Sequence, residues 1–221
     1  MPLDRSTRIL AIRHGETDWN LQARIQGHRD IPLNSLGQAQ ASRLVGALAG
    51  ESIAAIYCSD LARARQTAAG VAAAAGLTVR LETALRERCF GVFEGLTWGE
   101  IALGWPEQSE RWRARDATFG ADEGETLADF YARSLACVER LAQAHSGQTV
   151  IIVTHGGVLD CLYRASRRMS LQATKTWMLG NAAINRLLYS EQGFSLVGWN
   201  DDSHLHGIGS HERSADVDPQ A

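Results

Sequence analysis

The 221-residue sequence lacks the features that would place it in a membrane, in an oxidising compartment or on a nucleic acid. No apolar run approaches the roughly 20 residues of a membrane-spanning helix, and the first residues lack the apolar segment of a signal peptide. The four cysteines show no Cys-x-x-Cys pairing, which favours buried free thiols in a reducing cytosol. The formal net charge is only −3, so no global field attracts nucleic acid or anionic lipid. We therefore expect a cytoplasmic protein with no nucleic-acid or membrane partner.

Motifs of three common catalytic and nucleotide-binding sites are also missing. The chain has no Gly-x-x-x-x-Gly-Lys-Ser/Thr loop and no Gly-x-Gly-x-x-Gly, so neither a P-loop nor a Rossmann nucleotide site is supported. It has no Gly-x-Ser-x-Gly elbow, which disfavours a Ser-His-Asp hydrolase. Any catalytic site must be built from other residues, in a chain whose length fits one domain with a substantial core.

The sequence does contain a histidine at the end of a predicted strand. Residues 9–12 form a short apolar run that is typical of a buried strand, and Arg13-His14-Gly15-Glu16-Thr17 follows it. Ligands of open α/β sheets bind outside the carboxyl ends of the strands. The glycine lets backbone approach a ligand closely, and arginine offers a planar fork of donors suited to phosphate. A lone histidine of this kind is more often a packed loop residue, so the motif is only suggestive by itself.

A second junction of the same kind lies near the end of the chain. Residues 149–153 are apolar, β-branched and continuous, as in a strand buried on both faces, and they lead into Thr154-His155-Gly156-Gly157. If the two strands are adjacent and parallel, His14 and His155 meet at one edge of the sheet. Two such junctions in one chain are more informative than either alone.

An arginine and a glutamate complete the set of candidate residues. Residues 53–58 predict a strand, Ser59-Asp60 a helix N-cap, and Arg63 then lies in the first turn of a helix that reaches residue 75. An arginine there opposes the helix dipole, so it fits better if it faces a bound anion, although a surface arginine is an equal alternative. Glu87 lies in an aperiodic stretch rich in glycine and aromatics, where it is either an ion-pair residue or a proton donor near a phosphate.

The remaining pattern predicts an α/β protein with no second domain. We expect a polar loop over residues 18–32, an excursion of short helices over residues 96–130 that covers the site, and a polar, glycine-rich tail over residues 201–221. A frayed terminus explains His204, His206 and His211 better than a weak metal site does. Further predicted elements are helices over 34–49, 127–145 and 158–168, a strand over 78–82, and a hairpin of residues 183–189 and 194–199.

These residue types together fit a dianionic phosphoryl group. Arginines neutralise its oxygens, and a neutral imidazole nitrogen attacks phosphorus in line. Nearby arginine charge lowers the pKa of His14 and keeps it nucleophilic. A metal site built on His14 and His155 is the alternative, but adjacent arginines would repel the cation.

Four motifs resemble the histidine phosphatase superfamily, in the branch of cofactor-dependent phosphoglycerate mutases and broad-specificity phosphatases. They are Arg13-His14-Gly15-Glu16-Thr17, Ser59-Asp60-Leu61-x-Arg63-Ala64-x-x-Thr67, Leu85-x-Glu87-x-x-Phe90-Gly91-x-Phe93-Glu94-Gly95 and Thr154-His155-Gly156-Gly157. They occur in the family's order and cover residues 7–200, the predicted core.

The resemblance implies a fold, a mechanism and a set of site residues. The fold is a three-layer α/β/α sandwich around a mostly parallel sheet. His14 becomes a phosphohistidine, Glu87 is the proton donor, and no metal is required. Arg13, Arg63 and His155 complete the phosphate pocket, with Asn20 and Gly156 near the phosphate. The Gly124-Glu125-Thr126 turn resembles a further family segment, which adds Glu125 to the binding residues.

The same resemblance leaves the acceptor of the phosphoryl group open. We expect a histidine acid phosphatase-type hydrolase of small phosphate monoesters without a cofactor, because the basic, proline-rich insertion of the mutases is missing between Glu87 and His155. The alternatives are a phosphoglycerate mutase, which would use 2,3-bisphosphoglycerate, and an inactive binder of phosphorylated ligands. A homodimer through the C-terminal hairpin also stays open.

Overall fold

The computed structural model describes residues 5–208 and shows one six-stranded sheet with helices on both faces. The strands are β1 (Thr7–Arg13), β2 (Ile53–Cys58), β3 (Val79–Leu81), β4 (Thr149–Thr154), β5 (Ile184–Ser190) and β6 (Gly193–Asp201). The helices are α1 (Asp18–Leu21), α2 (Ser35–Ala47), α3 (Ala62–Ala75), α4 (Trp98–Gly104), α5 (Pro106–Arg113), α6 (Leu127–Gln143) and α7 (Gly156–Arg167).

The strand order β3-β2-β4-β1-β5-β6 places the two histidine-bearing strands side by side. β1 and β4 are parallel, with Arg13 in register with Thr154, so the residues that follow both strands emerge at the same edge. β2 and β3 continue the parallel part of the sheet, whereas the hairpin β5–β6 joins β1 antiparallel. The predicted α/β architecture is confirmed, and the parallel pairing brings His14 and His155 together.

Two hydrophobic cores cover the two faces of the sheet, as expected for strands whose side chains alternate between faces. One core joins residues such as Ile9, Val150 and Ile152 to α6 and α7. The other joins Leu10 and Ile151, among others, to α2 and α3. β4 is buried along its whole length, which explains its continuous apolar sequence.

A third, smaller cluster of apolar side chains lies within and beneath the 96–130 excursion. Its buried members are Ile25, Phe90, Phe93, Ile101, Trp112, Phe119 and Ala121. Trp112 stacks on Phe93 with ring centroids 5.5 Å apart and on Phe90 at 4.9 Å. The prediction that the excursion consists of short helices with packed tryptophans is confirmed, and α6 begins at Leu127, within its last residues.

Three local expectations differ from the structure. The predicted loop over 18–32 contains the short helix α1, which Thr17 and Asn20 cap. The N-cap of α3 is Leu61 rather than Ser59 or Asp60, and the amide of Ala62 donates instead to Asp30 Oδ1 at 2.5 Å. β6 reaches Asp201, and a 3₁₀ turn (Ser203–Leu205) returns to the core with Leu205 buried, so this part of the tail is not frayed. His211 lies outside the described residues.

Candidate active site

His14 is held at the carboxyl end of β1 by main-chain hydrogen bonds. Its amide donates to Thr154 O at 2.9 Å, which ties it to the end of β4. Its ring Nδ1 lies 2.7 Å from Gly15 O. Because a carbonyl can only accept, we assign the ring proton to Nδ1, which leaves the Nε2 lone pair available to attack an electrophile.

His155 lies against His14, with ring centroids 5.2 Å apart. Arg63 Nε donates to its Nδ1 at 3.3 Å, so Nε2 carries the ring proton and donates to Ser59 Oγ at 2.8 Å. His155 is also the N-cap of α7, but its side chain does not cap the helix. The ring is therefore oriented toward its neighbours at the site.

Burial and positive charge keep both histidines neutral. Desolvation lowers the pKa of His14 well below its ordinary value of 6.5, and the charges of Arg63 and Arg13 lower it further. Burial likewise lowers the pKa of His155 well below 6.5, with smaller contributions from Arg63, His14 and Arg13. An unprotonated imidazole is what nucleophilic attack requires.

This electrostatic arrangement predicts a loss of stability in acid. Below pH 6.5 the unfolded chain binds protons on these histidines while the folded protein does not, so acid favours unfolding until the pH reaches the lowered folded pKa. Each histidine should cost up to about 1.4 kcal/mol of unfolding free energy per pH unit in that window. Urea titrations at several pH values should show a shallower dependence for His155→Asn than for the wild type. His206→Asn is the control, because His206 is exposed. The same change of unfolding free energy per pH unit in all three proteins would contradict the prediction.

Two buried arginines bring positive charge to the same place. Arg63 is fully buried, and its terminal nitrogens donate to the main-chain oxygens of Arg29 and Gly27 at 2.8 Å each. Arg13 is 1% exposed and donates to Leu179 O. Main-chain carbonyls orient both guanidinium groups, and such a planar fork of donors suits an anion such as phosphate.

Glu87 reaches the site through the first turn of α7. Its Oε2 accepts from Gly157 N at 2.9 Å, one residue beyond the pair His155 and Gly156, and its Oε1 accepts from Arg88 N at 2.8 Å. The side chain is 1% exposed. A carboxyl group fixed against the first turn of the helix that His155 begins is well placed to transfer a proton.

Gly157 leaves the space that the Glu87 carboxyl group occupies. A Cβ at this position would overlap that carboxyl group and approach Phe130 Cε1 to 3.0 Å. We expect Gly157→Ala to displace Glu87 and to lower kcat by about 100-fold, since small misplacements of catalytic groups have effects of that size. Gly46→Ala is the matched control, because a Cβ there meets nothing within 4 Å. Steady-state kinetics of both variants test the prediction, and equal kcat values would contradict it.

Of the remaining predicted residues, Asn20 and Gly156 lie at the site, whereas Glu125 contacts the loop that carries Glu87. Asn20 is 2% exposed, and its Nδ2 has no hydrogen-bond partner within residues 5–208. A buried donor of this kind can hydrogen-bond a phosphate oxygen. Gly156 opens α7, whose N-terminus favours negative charge. The carboxylate of Glu125 accepts from Arg133 and from Cys89 N, so its oxygens hold the Glu87 loop and are not directed at a phosphate.

Three site residues were missed in the sequence. His28 Nε2 donates to Glu87 O at 2.9 Å, Asn181 Nδ2 donates to His14 O at 2.9 Å, and Arg133 donates to Glu87 O at 3.3 Å. Each of these side chains donates to a main-chain oxygen of a residue that is far away in the sequence. No local motif or spacing marks such a residue, so sequence reasoning had no signal to find it.

Neither a metal cluster nor a membrane helix is found in the described residues. Across residues 5–208, no group of three or more His, Cys, Asp and Glu side chains is arranged to hold a metal ion. Within the same range, every helix is too short or too polar to cross a bilayer.

Comparisons with known proteins agree with this geometry. The model of the histidine phosphatase superfamily (branch 1) matches residues 9–202. Phosphoglycerate mutase-like protein 4 of Arabidopsis thaliana is 36% identical over 205 residues, covering 91% of this chain and 88% of that protein. The metal-independent phosphoserine phosphatase of the same plant is 36% identical over 221 residues, covering 96% and 89%. The structure of mycobacterial glucosyl-3-phosphoglycerate phosphatase is similar with a TM-score of 0.79 and 32% identity, covering 90% of this chain and all of that one (100%).

Proposed function

The chain belongs to the histidine phosphatase superfamily (branch 1), and on that basis we propose that it hydrolyses small phosphate monoesters through a phosphohistidine on His14. One observation carries the proposal: a neutral His14 ring, with Nδ1 fixed by Gly15 O, lies beside His155 and the buried Arg63. This arrangement supplies a nucleophile and a positive cradle for the phosphoryl group in one place.

The first half-reaction transfers the phosphoryl group to the protein. His14 Nε2 attacks phosphorus and the bond to the leaving oxygen breaks, while Glu87 delivers a proton to that oxygen and the alcohol departs. The charges of Arg13 and Arg63 offset the negative charge on the transferred oxygens, and donors from Asn20 and the N-terminus of α7 complete the pocket beside the neutral ring of His155.

The second half-reaction releases phosphate. The Glu87 carboxylate takes a proton from water, the water oxygen bonds to phosphorus, and the phosphorus–nitrogen bond breaks. His14 regains its lone pair, inorganic phosphate leaves, and Glu87 is again protonated. No step needs a cofactor or a metal, in keeping with the name of the metal-independent relative.

Hydrolysis is favoured over mutase activity by the charges of the excursion. Arg111 pairs with Asp116 at 2.7 Å and Arg115 pairs with Asp160 at 2.7 Å, so these arginines already have carboxylate partners. A mutase must hold an acceptor with both carboxylate and phosphate, which calls for more uncompensated positive charge. Phosphoglycerate mutase activity stays the alternative, in keeping with the name of the mutase-like relative, and this chain would then need 2,3-bisphosphoglycerate.

Phosphorus NMR with 3-phosphoglycerate and a panel of phosphate monoesters, with and without chelator, tests the proposal. Inorganic phosphate without isomer, unaffected by chelator, is the expected result. Formation of 2-phosphoglycerate that 2,3-bisphosphoglycerate accelerates would establish a mutase. No reaction with any ester would favour an inactive phospho-ligand binder. The cytoplasmic location and a homodimer stay predictions.

A further inference from the structure

Glu87 lies on a segment of irregular main chain. Residues 86–90 connect the 3₁₀ turns Thr83–Leu85 and Gly91–Phe93, and they belong to no strand or α-helix. The carbonyl groups of four consecutive residues, 84–87, each accept a hydrogen bond from a side chain of another part of the fold. Because main-chain polar groups inside a protein need partners, the side chains that supply them determine where this segment, and with it the Glu87 carboxyl group, is held.

Arg133 of α6 supplies most of these contacts. Its Nη1 donates to Ala84 O at 2.8 Å and to Arg86 O at 3.2 Å, and its Nη2 donates to Glu87 O at 3.3 Å. Its Nε and Nη2 also donate to the two carboxylate oxygens of Glu125 at 2.7 Å each. A guanidinium group has five N–H donors, and these five bonds use all of them. A lysine, with three donors on one nitrogen, cannot reproduce this set.

Glu125 holds the far end of the same segment. Its Oε2 accepts from Cys89 N at 2.9 Å, and its own amide donates to Cys89 O at 2.9 Å. Burial by itself would raise the pKa of Glu125, but the hydrogen bonds from Arg133 and Cys89 N lower it below its ordinary value, so the carboxylate stays ionised at neutral pH. The ion pair of Arg133 and Glu125 therefore holds the main chain on both sides of Glu87.

The carbonyl of Glu87 also links this ion pair to the phosphate-binding side of the site. His28 Nε2 donates to Glu87 O at 2.9 Å, beside the bond from Arg133. His28 lies between Gly27 and Arg29, whose main-chain oxygens orient Arg63. The main chain of the proton donor is thus fixed relative to the arginine that faces His155.

Thr154 fixes the same segment relative to the nucleophile. Its Oγ1 donates to Leu85 O at 2.8 Å, and its carbonyl accepts from His14 N at 2.9 Å. Thr154 and Leu85 are both fully buried, so loss of the hydroxyl would leave a buried carbonyl without this donor, which is costly. The last residue of β4 therefore contacts the segment that carries Glu87 with its side chain and holds His14 with its main chain.

We infer that Arg133, Glu125 and Thr154 are positioning residues for proton transfer by Glu87. They contact the main chain around Glu87, and they fix the distance between its carboxyl group and the phosphoryl group on His14. The inference rests on the proposed function and adds to it the groups that align the proton donor. It gives Glu125 a role different from the phosphate binding that the family resemblance implies.

Arg133→Met and Arg133→Lys test the ion pair, with 3-phosphoglycerate and glycerol 3-phosphate as alkyl esters and p-nitrophenyl phosphate as the aryl ester. For Arg133→Met we expect kcat/KM to fall by about 100-fold on the alkyl esters, the cost of a small misplacement of a catalytic group. The loss on p-nitrophenyl phosphate should be at most about threefold, because nitrophenolate leaves without a proton. Arg133→Lys should lie between Arg133→Met and the wild type.

Arg140→Met is the matched control for these variants. Arg140 lies two turns further along α6 and pairs with Glu82 at the surface. It should keep the wild-type rates on alkyl and aryl esters, although it also loses an ion pair of the same helix.

Glu125→Gln tests whether the two partners act together. Glutamine keeps an acceptor for Cys89 N but offers only one oxygen to Arg133, so the alkyl esters should again lose more than the aryl ester. Changes within one network do not add. The double variant Arg133→Met/Glu125→Gln should therefore lose no more than Arg133→Met alone, and losses that multiply would contradict a joint role.

Thr154→Val tests the second contact without changing a charge. Valine keeps the shape of threonine and removes the hydroxyl, so we expect a loss of about tenfold on alkyl esters and little change on p-nitrophenyl phosphate. Thr154→Ser keeps the hydroxyl and should restore most of the loss. Thr149→Val, at the other end of β4, is the control and should behave as the wild type. This set decides the question even if Arg133→Met does not fold.

Inhibition by inorganic phosphate separates positioning from a general loss of structure. The variants leave Arg13, Arg63 and Asn20 in place, so the inhibition constant should stay within about threefold of the wild type. Equal losses on alkyl and aryl esters, or wild-type rates in Thr154→Val and Arg133→Met, would overturn the positioning role. A wild type that hydrolyses only the aryl ester would overturn it as well. No turnover of any ester by the wild type would overturn the phosphatase function and the inference with it.

Discussion

His14→Ala should lower kcat/KM by at least about 10⁴-fold on every phosphate ester, because removal of a nucleophile costs an enzyme a factor of this order or more. The loss should not depend on the leaving group, since no ester can react without the phosphohistidine. The wild-type protein, quenched in mild base during turnover, should show a phosphorylated species by intact mass. The variant should show none.

His206→Ala is the control for this substitution, because His206 is exposed and lies on the last described turn. It should retain wild-type rates. Imidazole added to His14→Gly should restore part of the activity by occupying the vacated ring position. A His14→Ala protein that is folded by circular dichroism and still forms a phosphoenzyme would show that another residue, foremost His155, is the nucleophile.

Glu87→Gln should lower kcat/KM by about 10²- to 10⁴-fold on alkyl phosphates, the range of general acid catalysis. An alkoxide is a poor leaving group and needs a proton as it departs, whereas a nitrophenolate does not. The loss on p-nitrophenyl phosphate should therefore be much smaller. Because glutamine keeps an acceptor for Gly157 N, we expect the fold of the first turn of α7 to be preserved.

The same variant tests the second role of Glu87. If the carboxylate also activates water, the phosphoenzyme should accumulate and p-nitrophenol should appear in a burst before the steady state. Glu82→Gln, at a carboxylate that pairs with Arg140 on the surface, is the control and should behave as the wild type. Equal losses on alkyl and aryl esters, without a burst, would contradict the proton-donor role.

The sequence predicted the features that depend on local pattern. β1 follows from a short apolar run and β4 from a continuous β-branched one. Each strand ends one residue before a histidine, so the positions of His14 and His155 at strand ends were predictable before the fold was known. The unfavourable position of Arg63 in a first helical turn left a role at an anion and a place on the surface equally open, and only the resemblance to the family assigned it to the phosphate pocket. The structure supplies the reason, because Arg63 contacts His155 and the carbonyls of the 18–32 loop.

What the sequence did not reveal depends on contacts between distant segments. Asp30 caps α3 across about thirty residues of chain in place of Ser59, which orients His155 instead. Asp160, whose Oδ2 accepts from Arg115 and Arg164, and the buried Arg88 become recognisable as neighbours of Glu87 only when α7, the Glu87 loop and the excursion lie against one another. Neither residue stands out in the sequence, since an aspartate and an arginine of this kind are ordinary on a helix and in a loop.

The third apolar cluster lets one part of the protein tolerate substitutions independently of another. Trp112, Phe93 and Phe119 pack among themselves and with Ile25 and Ile101, apart from the cores that hold β1 and β4 in place. A substitution that reshapes this cluster alters the apolar wall that Phe90 and Trp112 form in the crevice beside Glu87, while the two main cores continue to hold the strands that carry His14 and His155. Substitutions in this cluster can therefore reshape the surface beside Glu87 without displacing the strands that position the nucleophile.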